Sequence, residues 1–314
     1  MNIPSHSQLL ATENRIKDYI HRTPVLTSQS LNEIFGCELF FKCENFQRGG
    51  SYKIRGAMNA VRSLTEEQLK KGVATHSSGN FAQALAIAAQ SCGAKAYIVM
   101  PENAPKVKIE AVKGYGGTVI LCESTLKARE EQLKEVIESY QATPVHPSND
   151  RDVILGQSTV SSELLEEYPD IEILISPIGG GGVGAGACLA AKYHNAQVDV
   201  IGAEPEQADD AYRSLIEGKI MPSVHPKTIA DGLRTQLGDQ NFPIIKNLIK
   251  EIILVSEDSI VDAMRYIWER MKIVVEPSSA TTLATILMRP NQFKGKKVGL
   301  IITGGNVSLD KLPF

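Results

Sequence analysis

Segments that predict strands alternate with segments that predict helices through nearly the whole chain of 314 residues. Short runs rich in apolar and β-branched residues predict strands at 38–44, 72–78, 95–101, 118–124, 171–178, 198–204, 251–257 and 297–303. Between these runs, apolar residues at intervals of three and four predict helices at 80–91, 105–114, 125–139, 183–194, 257–271 and 277–287. Because this alternation is typical of parallel sheets covered by helices, the sequence predicts an α/β fold.

The composition narrows the class of protein. Apolar residues make up 43% and charged residues 22%, and the formal net charge is −3, which gives no electrostatic reason to expect nucleic acid or an anionic membrane as a partner. No apolar run is long enough for a membrane-spanning helix, and the first residues lack a signal-peptide pattern. The cysteines are odd in number, scattered and never spaced as CxxC, which favours reduced thiols and predicts a cytoplasmic protein.

The most informative loop contains four consecutive glycines. Residues 176–186, SPIGGGGVGAG, lead from a predicted strand through these glycines into a predicted helix. Glycines allow a sharp turn, and backbone N–H groups at a helix N-terminus can bind a phosphate. A second interpretation stays open here, because Gly179, Gly181 and Gly184 fit the dinucleotide pattern and Glu204 ends the next strand, as in an NAD-dependent oxidoreductase.

Two other strand ends carry polar groups that suit a ligand. In SSGNFAQALA, residues 77–86, Ser77, Ser78 and Asn80 lead into a helix. They form either an ordinary N-cap or a receptor for a carboxylate. The last predicted strand ends in Thr303, whose hydroxyl could face the heterocycle of a ligand.

Two charged segments also have two interpretations each. Glu204, Ala208 and Asp210 offer a carboxylate, a backbone carbonyl and a second carboxylate, which suit Mg²⁺ or Ca²⁺. The same residues are equally consistent with acidic groups near a helix N-terminus. Lys53, in RGGSYKIRGA, is either a solvated surface charge or a buried amine that reacts with a carbonyl group.

In this order, these segments resemble the fold-type II pyridoxal-phosphate (PLP) enzymes, and most closely their branch of serine racemases and serine/threonine dehydratases. The resemblance extends from 22–32 to 303–309 and rests on ENFQRGGSYKIRGAMNAV, SSGNFAQAL, VMPENAPKVKIEAVKGYGG, GGGG, AEPEQADDAY, IADGL and VSEDSI. It implies a tryptophan synthase beta-like fold of two domains, each with a mostly parallel twisted sheet flanked by helices. The large PLP-binding domain would comprise 1–72 and 150–314, and the small mobile domain 73–149.

The resemblance also implies a cofactor site. Lys53 would hold PLP as a Schiff base, with Tyr52 beside the cofactor ring. Asn80 would hydrogen-bond the 3′-oxygen, and Thr303 would face the pyridine nitrogen. The 5′-phosphate would be bound by Gly179, Gly180, Gly181 and Gly182, which disfavours the NAD interpretation.

The implied activity is that of a PLP-dependent lyase. It would convert L-serine, L-threonine or a related β-hydroxy amino acid into a 2-oxo acid and ammonia, with Lys53 removing the Cα proton. Return of a proton by Ser78 from the opposite face would add racemase activity, and a dedicated serine or aspartate racemase is the alternative. Ser77, Ser78 and Asn80 would contact the substrate, and Arg129 would help to bind it when the domains close. A non-catalytic PLP carrier is disfavoured because Lys53, Ser78 and the acidic site at Glu204 and Asp210 are all present.

Further features of the resemblance concern metal, nucleotide and assembly. Glu204, Ala208 (through its carbonyl) and Asp210 match the divalent-metal site of this branch, so Mg²⁺, Ca²⁺ or Mn²⁺ is implied. A homodimer is implied as well. Gly49 replaces a common threonine in the segment that, with Lys108, binds nucleotide in animal serine racemases, so activation by ATP is not expected.

Some segments depart from the pattern of the branch. Phe81 replaces a usual histidine, and residues 148–150 and 278–281 differ from the common residues of the pocket. These departures leave the preferred amino acid open. No segment resembles the regulatory domain of biosynthetic threonine dehydratases, so feedback inhibition by isoleucine is not expected.

Overall fold

A computed structural model describes residues 3–314. The strands are β1 (Val25–Leu26), β2 (Glu38–Cys43), β3 (Val73–His76), β4 (Ala96–Pro101), β5 (Thr118–Cys122), β6 (Thr143–Pro144), β7 (Ile173–Pro177), β8 (Asp199–Pro205), β9 (Glu251–Val255) and β10 (Lys297–Ile302). The helices are α1 (His6–Ile16), α2 (Gln29–Phe35), α3 (Lys53–Arg62), α4 (Glu66–Lys71), α5 (Asn80–Ser91), α6 (Lys106–Gly114), α7 (Leu126–Tyr140), α8 (Arg151–Glu167), α9 (Gly182–His194), α10 (Asp210–Glu217), α11 (Phe242–Leu248), α12 (Glu257–Tyr266), α13 (Pro277–Met288) and α14 (Pro290–Phe293).

The predicted strands and helices all have counterparts, with their ends shifted by a few residues. The helix predicted at 257–271 is α12 followed by a π-helical turn, Ile267–Met271. The apolar patterns of the sequence did not predict the two-residue strands β1 and β6, nor the helices α1–α4, α8, α10, α11 and α14. Among residues 3–314, no helix combines the length and the apolar character needed to cross a bilayer.

The strands form two sheets. The larger has the order β1-β2-β10-β7-β8-β9, and its neighbouring strands are parallel except for β1 and β2. The smaller has the order β5-β4-β3-β6 and is parallel throughout. The predicted α/β class with two mostly parallel sheets is therefore confirmed. All strands of the smaller sheet lie within 73–149, but the domain boundaries themselves stay a prediction.

Both faces of the larger sheet are buried. Ile175 and Leu300 pack on one face in an apolar cluster that includes residues of α12 and α13. Their chain neighbours Leu174 and Ile301 pack on the other face in a cluster that includes residues of α8, α9 and α11. Because successive side chains of a strand point to opposite faces, burial of both faces explains why these strands are apolar almost throughout.

Parallel pairing brings the predicted site residues to one edge of the larger sheet. The carboxyl ends of β7, β8 and β10 lie side by side there, because β10 pairs with β7 and β7 pairs with β8. The glycine loop follows β7, Glu204 lies near the end of β8, and Thr303 follows β10. Strand β2, which precedes the segment with Lys53, also runs parallel to β10. The fold thus gathers residues far apart in the chain at the edge where α/β proteins bind ligands.

Candidate active site

Lys53 is the first residue of α3 and lies close to two aromatic rings. Its Nζ atom donates a hydrogen bond to the carbonyl oxygen of Pro147 at 3.0 Å. It lies 4.9 Å from the ring centroid of Tyr52 and 6.0 Å from that of Phe81. Burial lowers the pKa of Lys53 to about 8, although the charge of Glu276 opposes that shift. A substantial fraction of the amine is therefore neutral near physiological pH, and the neutral form is the nucleophile.

The glycine loop between β7 and α9 has no room for side chains. A Cβ atom at Gly180 would lie 2.5 Å from Ser148 Oγ, and one at Gly182 would lie 2.3 Å from Gln157 Oε1. Gly181 has a φ of 79°, a left-handed conformation that favours glycine. The glycines are thus required both by the backbone conformation and by the close approach of neighbouring groups.

The N–H groups of this loop provide the test of whether a phosphate fits. Within residues 3–314, the N–H groups of Gly179, Gly180 and Gly181 meet no hydrogen-bond acceptor, although these residues are buried. Each buried donor left without an acceptor costs about 1–3 kcal/mol. A phosphate at the N-terminus of α9 would accept several of these hydrogen bonds at once. The loop therefore fits the phosphate group of PLP.

Thr303 is buried immediately after β10. Its Oγ1 atom lies 3.0 Å from Ser279 Oγ, and the Ser279 hydroxyl donates to the carbonyl oxygen of Gly304 at 2.8 Å. The carbonyl oxygen of Thr303 accepts a hydrogen bond from the N–H of Tyr52 at 2.9 Å. These contacts join Thr303 to the segment that leads into Lys53. They present an uncharged hydroxyl, which suits the neutral ring nitrogen of PLP.

Asn80 connects the part of the chain with the smaller sheet to the part with the larger sheet. Its Nδ2 atom donates to both carboxylate oxygens of Glu276, at 3.0 and 3.1 Å. Its Oδ1 atom accepts from Asn306 Nδ2 at 2.9 Å. Burial raises the pKa of Glu276 to about 7, against the hydrogen bond from Asn80, which lowers it. Glu276 can therefore exist in either protonation state near neutral pH.

Ser77 and Ser78 lie in the turn between β3 and α5. The Ser77 Oγ atom accepts a hydrogen bond from the N–H of Gly79 at 3.4 Å, and Ser78 is half-buried. The ring centroid of Phe81, in the first turn of α5, lies 6.0 Å from Lys53 Nζ. The fold thus brings the start of α5 close to the lysine, which is consistent with the predicted roles of the two serines. Those roles stay predictions.

Arg129 lies on α7, and its Nε atom donates to the carbonyl oxygen of Thr125 at 3.3 Å. Burial lowers the pKa of His76, and the positive charge of Arg129 lowers it further. Burial also lowers the pKa of His146 to about 4, with added effects from His76 and Lys53. Arg129 is therefore close to a group of basic residues beside the lysine. Its predicted contact with substrate stays a prediction.

Two buried acidic residues, Glu204 near the end of β8 and Asp210 at the start of α10, lie in the predicted metal-binding segment. Glu204 accepts hydrogen bonds from the N–H groups of Ala211 and Tyr212, each at 2.8 Å. Asp210 is 1% exposed, and neither of its carboxylate oxygens has a hydrogen-bond partner within residues 3–314. Burial raises the pKa of Asp210 to about 6 and that of Glu204 well above its usual value. Ala208 is buried between them in the chain. These donors fit a divalent cation, which would neutralise the two carboxylates.

The position of Glu204 argues against the NAD interpretation. Both of its carboxylate oxygens bind backbone N–H groups of α10, and the residue is fully buried. A carboxylate that recognises the ribose of NAD has to be open to the ligand. The acidic residue of the dinucleotide pattern is therefore engaged in holding α10.

Some residues in contact with the candidate site were not singled out from the sequence. Asn241 bonds to the glycine loop, and Glu276 and Asn306 bond to Asn80. His146 is near enough to Lys53 for the charge of the lysine to lower its pKa. Two of them had a usable signal. His146 follows β6 and Asn306 follows β10, both at the carboxyl ends of strands where ligands bind.

Comparison with known proteins agrees with this geometry. Residues 16–304 match the family described as pyridoxal-phosphate dependent enzyme. Serine racemase of Dictyostelium discoideum is 52% identical over 95% of this chain and 93% of its own, and its crystal structure superposes with a TM-score of 0.94 over 98% of this chain and 100% of that chain. A β-hydroxyaspartate dehydratase of Paracoccus denitrificans is 50% identical over 100% of both chains. The chain therefore belongs to the family of pyridoxal-phosphate dependent enzymes, with fold-type II architecture.

Proposed function

We propose that this protein is a PLP-dependent ammonia-lyase that acts on 3-hydroxyaspartate and, more slowly, on L-serine and L-threonine. The reaction yields a 2-oxo acid and ammonia. The observation that carries the proposal is the amine of Lys53, with its pKa lowered to about 8, at the same sheet edge as a glycine loop whose N–H groups meet no acceptor within residues 3–314. Serine racemase activity is a second candidate, favoured by the Dictyostelium relative and by the position of Ser78 near the start of α5.

In the proposed reaction, the cofactor and the residues of the chain have different roles. When bound, PLP supplies a conjugated electron sink that stabilises negative charge at the substrate Cα. Lys53 in its neutral form accepts the Cα proton, and its low pKa lets it return a proton near neutral pH. Ser77 and Asn80 hold the substrate carboxylate near the N-terminus of α5, where the helix dipole favours an anion. The β-hydroxyl then takes up a proton and leaves as water, and a second water molecule hydrolyses the remaining C–N bond to give the 2-oxo acid and ammonia.

The charge of the cleft supports a substrate with two carboxylates. The charge of Arg129 lowers the pKa of His76, and the charge of Lys53 lowers the pKa of His146, so both imidazoles lie in a positive field although they are themselves largely neutral near pH 7. A second carboxylate on the β-carbon gains from such a field, whereas the hydroxymethyl group of serine does not. The Paracoccus relative, a β-hydroxyaspartate dehydratase, matches the chain over its full length.

A substrate panel tests the choice between these candidates. The purified protein with PLP is given L-threo- and L-erythro-3-hydroxyaspartate, L-serine, L-threonine and L-aspartate separately. Oxo acid, ammonia and D-isomer are measured. We expect kcat/KM for one 3-hydroxyaspartate isomer to exceed that for serine by about tenfold or more, the effect of one paired charge. D-serine without oxo acid would instead make the protein a racemase.

Replacing Ser78 by Ala separates racemisation from elimination. Because Ser78 is proposed to deliver a proton from the face opposite Lys53, Ser78→Ala should lower D-isomer formation by about 100-fold or more. Oxo-acid release should fall by less than about tenfold, because Lys53 still removes the Cα proton. Ser77→Ala serves as the neighbouring control and should lower both products together through weaker substrate binding. Equal loss of both products in Ser78→Ala would contradict the role of Ser78.

We also propose that Glu204, Asp210 and the carbonyl of Ala208 hold Mg²⁺, Ca²⁺ or Mn²⁺. The pKa of Asp210 is raised to about 6, so the folded protein without metal binds an extra proton between about pH 4 and 6 and loses stability as pH rises through that window. A cation binds only the ionised carboxylates, so it should stabilise little at pH 5. At pH 8 it should add about 2–3 kcal/mol at a hundredfold excess over its Kd.

Thermal unfolding with Mg²⁺ and with EDTA at both pH values measures this effect. Asp210→Asn should remove the stabilisation by metal. Asp209→Asn is the matched control, because Asp209 is the chain neighbour but forms a partly exposed ion pair with Arg213. A metal effect that is equal at pH 5 and pH 8, or that persists in Asp210→Asn, would place the cation elsewhere.

We further propose that the protein is a cytoplasmic homodimer. All five cysteines are free thiols, as expected in a reducing compartment. The dimer is supported by the resemblance to the serine racemase branch. Light scattering at micromolar concentration should give about twice the 34.2 kDa of the chain, whereas the mass of a monomer would overturn the dimer.

A further inference from the structure

Asn241 is a buried residue that bridges two loops of the candidate site. It lies just before α11 and is fully buried. Its Nδ2 atom donates to the carbonyl oxygen of Gly180 at 2.8 Å and to that of Ser148 at 3.0 Å. Its Oδ1 atom accepts from the N–H of Gly238 at 3.0 Å. Both donors and the acceptor of this amide are thus used to join three separate segments of backbone.

The hydrogen bond to Gly180 determines how the next peptide group faces. In a trans peptide, the N–H of one residue points opposite to the C=O of the residue before it. Because the Gly180 carbonyl is held toward Asn241, the N–H of Gly181 points away from Asn241, and it has no acceptor within residues 3–314. Glycine can adopt many backbone conformations, so without the hydrogen bond from Asn241 the loop would sample other orientations of this N–H group.

The hydrogen bond to Ser148 places a second group beside the loop. A Cβ atom at Gly180 would lie 2.5 Å from Ser148 Oγ and 2.9 Å from Thr235 Oγ1, so two hydroxyls lie against the glycines. The backbone of Ser148 is held from the other side by His146, whose Nδ1 atom accepts its N–H at 3.2 Å. Asn241 therefore fixes the distance between the glycine loop and the loop that carries Ser148.

We infer that Asn241 is a positioning residue for the cofactor phosphate, acting through the N–H groups of the glycine loop and the hydroxyl of Ser148. The inference rests on the proposed PLP-dependent function. Asn241 touches the backbone of the loop from the side opposite the Gly181 N–H group, so it acts by orienting donors rather than by contacting the ligand. Its removal should weaken recognition of the phosphate group specifically and leave recognition of the pyridine ring and aldehyde intact.

The test compares PLP with pyridoxal, which has the same ring and aldehyde but no phosphate. The protein is freed of cofactor and titrated with each compound, and binding is followed by absorbance. In Asn241→Ala the Kd for PLP should rise by about 10- to 100-fold, the effect of one or two lost orienting hydrogen bonds. The Kd for pyridoxal should change by less than about threefold. Asn247→Ala is the control, since Asn247 lies exposed on α11, the helix that follows Asn241, and bonds to the carbonyl of Pro243.

A second variant guards against misfolding. Asn241→Ser keeps a shorter donor and should show an intermediate loss of PLP affinity, and circular dichroism checks the fold of each cofactor-free variant. Parallel weakening of PLP and pyridoxal, unchanged PLP affinity, or loss of fold in both variants would overturn the inference, because Asn241 would then be merely structural or unimportant. Failure of the unaltered protein to bind PLP would overturn the proposed function instead.

Discussion

Replacing Lys53 by Ala is expected to lower the release of oxo acid from every substrate by about 1,000-fold or more. Lys53 is proposed both to attach the cofactor and to accept the Cα proton, so its loss removes two steps at once. Its amine is suited to both because burial lowers its pKa to about 8. The near-visible absorbance of the bound cofactor should disappear in the variant as well. Initial rates and an absorbance spectrum from 300 to 500 nm measure the two effects.

A second variant tests whether the site needs the nucleophilic amine of Lys53 or only its positive charge. Lys53→Arg keeps a cation at the start of α3, but a guanidinium stays protonated and cannot act as a nucleophile. It should therefore lose activity as Lys53→Ala does. Lys113→Ala is the control, because Lys113 is exposed and pairs with Glu110 within one helix. An unchanged spectrum or substantial turnover in both Lys53 variants would show that another lysine holds the cofactor.

Residues of the candidate site could be predicted from the sequence where a single short segment contains both the end of a strand and the functional group. The glycines follow β7 closely and Thr303 follows β10 directly, and the structure brings both to one sheet edge. Lys53 lies further from its strand, at the start of α3, and was identified by its motif. Asn241 and Glu276 could not be found in this way, because their partners Gly180 and Asn80 lie in distant segments. Such contacts arise only when the sheets and helices pack together.

Helix α8 shows why some elements were missed. It is buried along most of its length, yet it carries a run of small polar residues that breaks the apolar periodicity. Ser158 and Thr159 donate their hydroxyl protons to carbonyl oxygens of their own helix, those of Leu155 and Gly156, at 2.5 and 2.7 Å. These side chains are thus satisfied without water, so a buried helix can contain them. A pattern of apolar residues alone does not identify such a helix.

The second large effect is expected at Arg55, a fully buried residue on the same helix as Lys53. Its guanidinium forms paired hydrogen bonds of 2.7 to 2.8 Å with the carboxylates of Glu44 and Glu163. Lys42 Nζ also binds Glu163, at 2.6 Å. Two cations and two anions therefore balance in the interior, and together they tie α3 to the end of β2 and to α8.

Arg55→Met should lower the free energy of unfolding by about 3–5 kcal/mol, because it leaves buried carboxylates without their partner. Urea unfolding of the cofactor-free chain measures this loss. Arg22→Met is the matched control: Arg22 forms an ion pair with Glu166, but the two side chains are 55% and 42% exposed, so the loss should be at most about 1 kcal/mol. A similar loss for both variants would contradict the argument.

Adding Glu44→Gln to Arg55→Met distinguishes lost packing from an unpaired buried charge. If the charge of Glu44 is the main cost in Arg55→Met, its removal should recover about 1–3 kcal/mol of stability. If lost packing dominates, the double variant should be no more stable than Arg55→Met.

The same ion cluster also affects the candidate active site, because it holds the first turn of α3, where Lys53 donates to the carbonyl of Pro147. A variant that folds but loosens this turn should keep its secondary structure while its affinity for PLP falls.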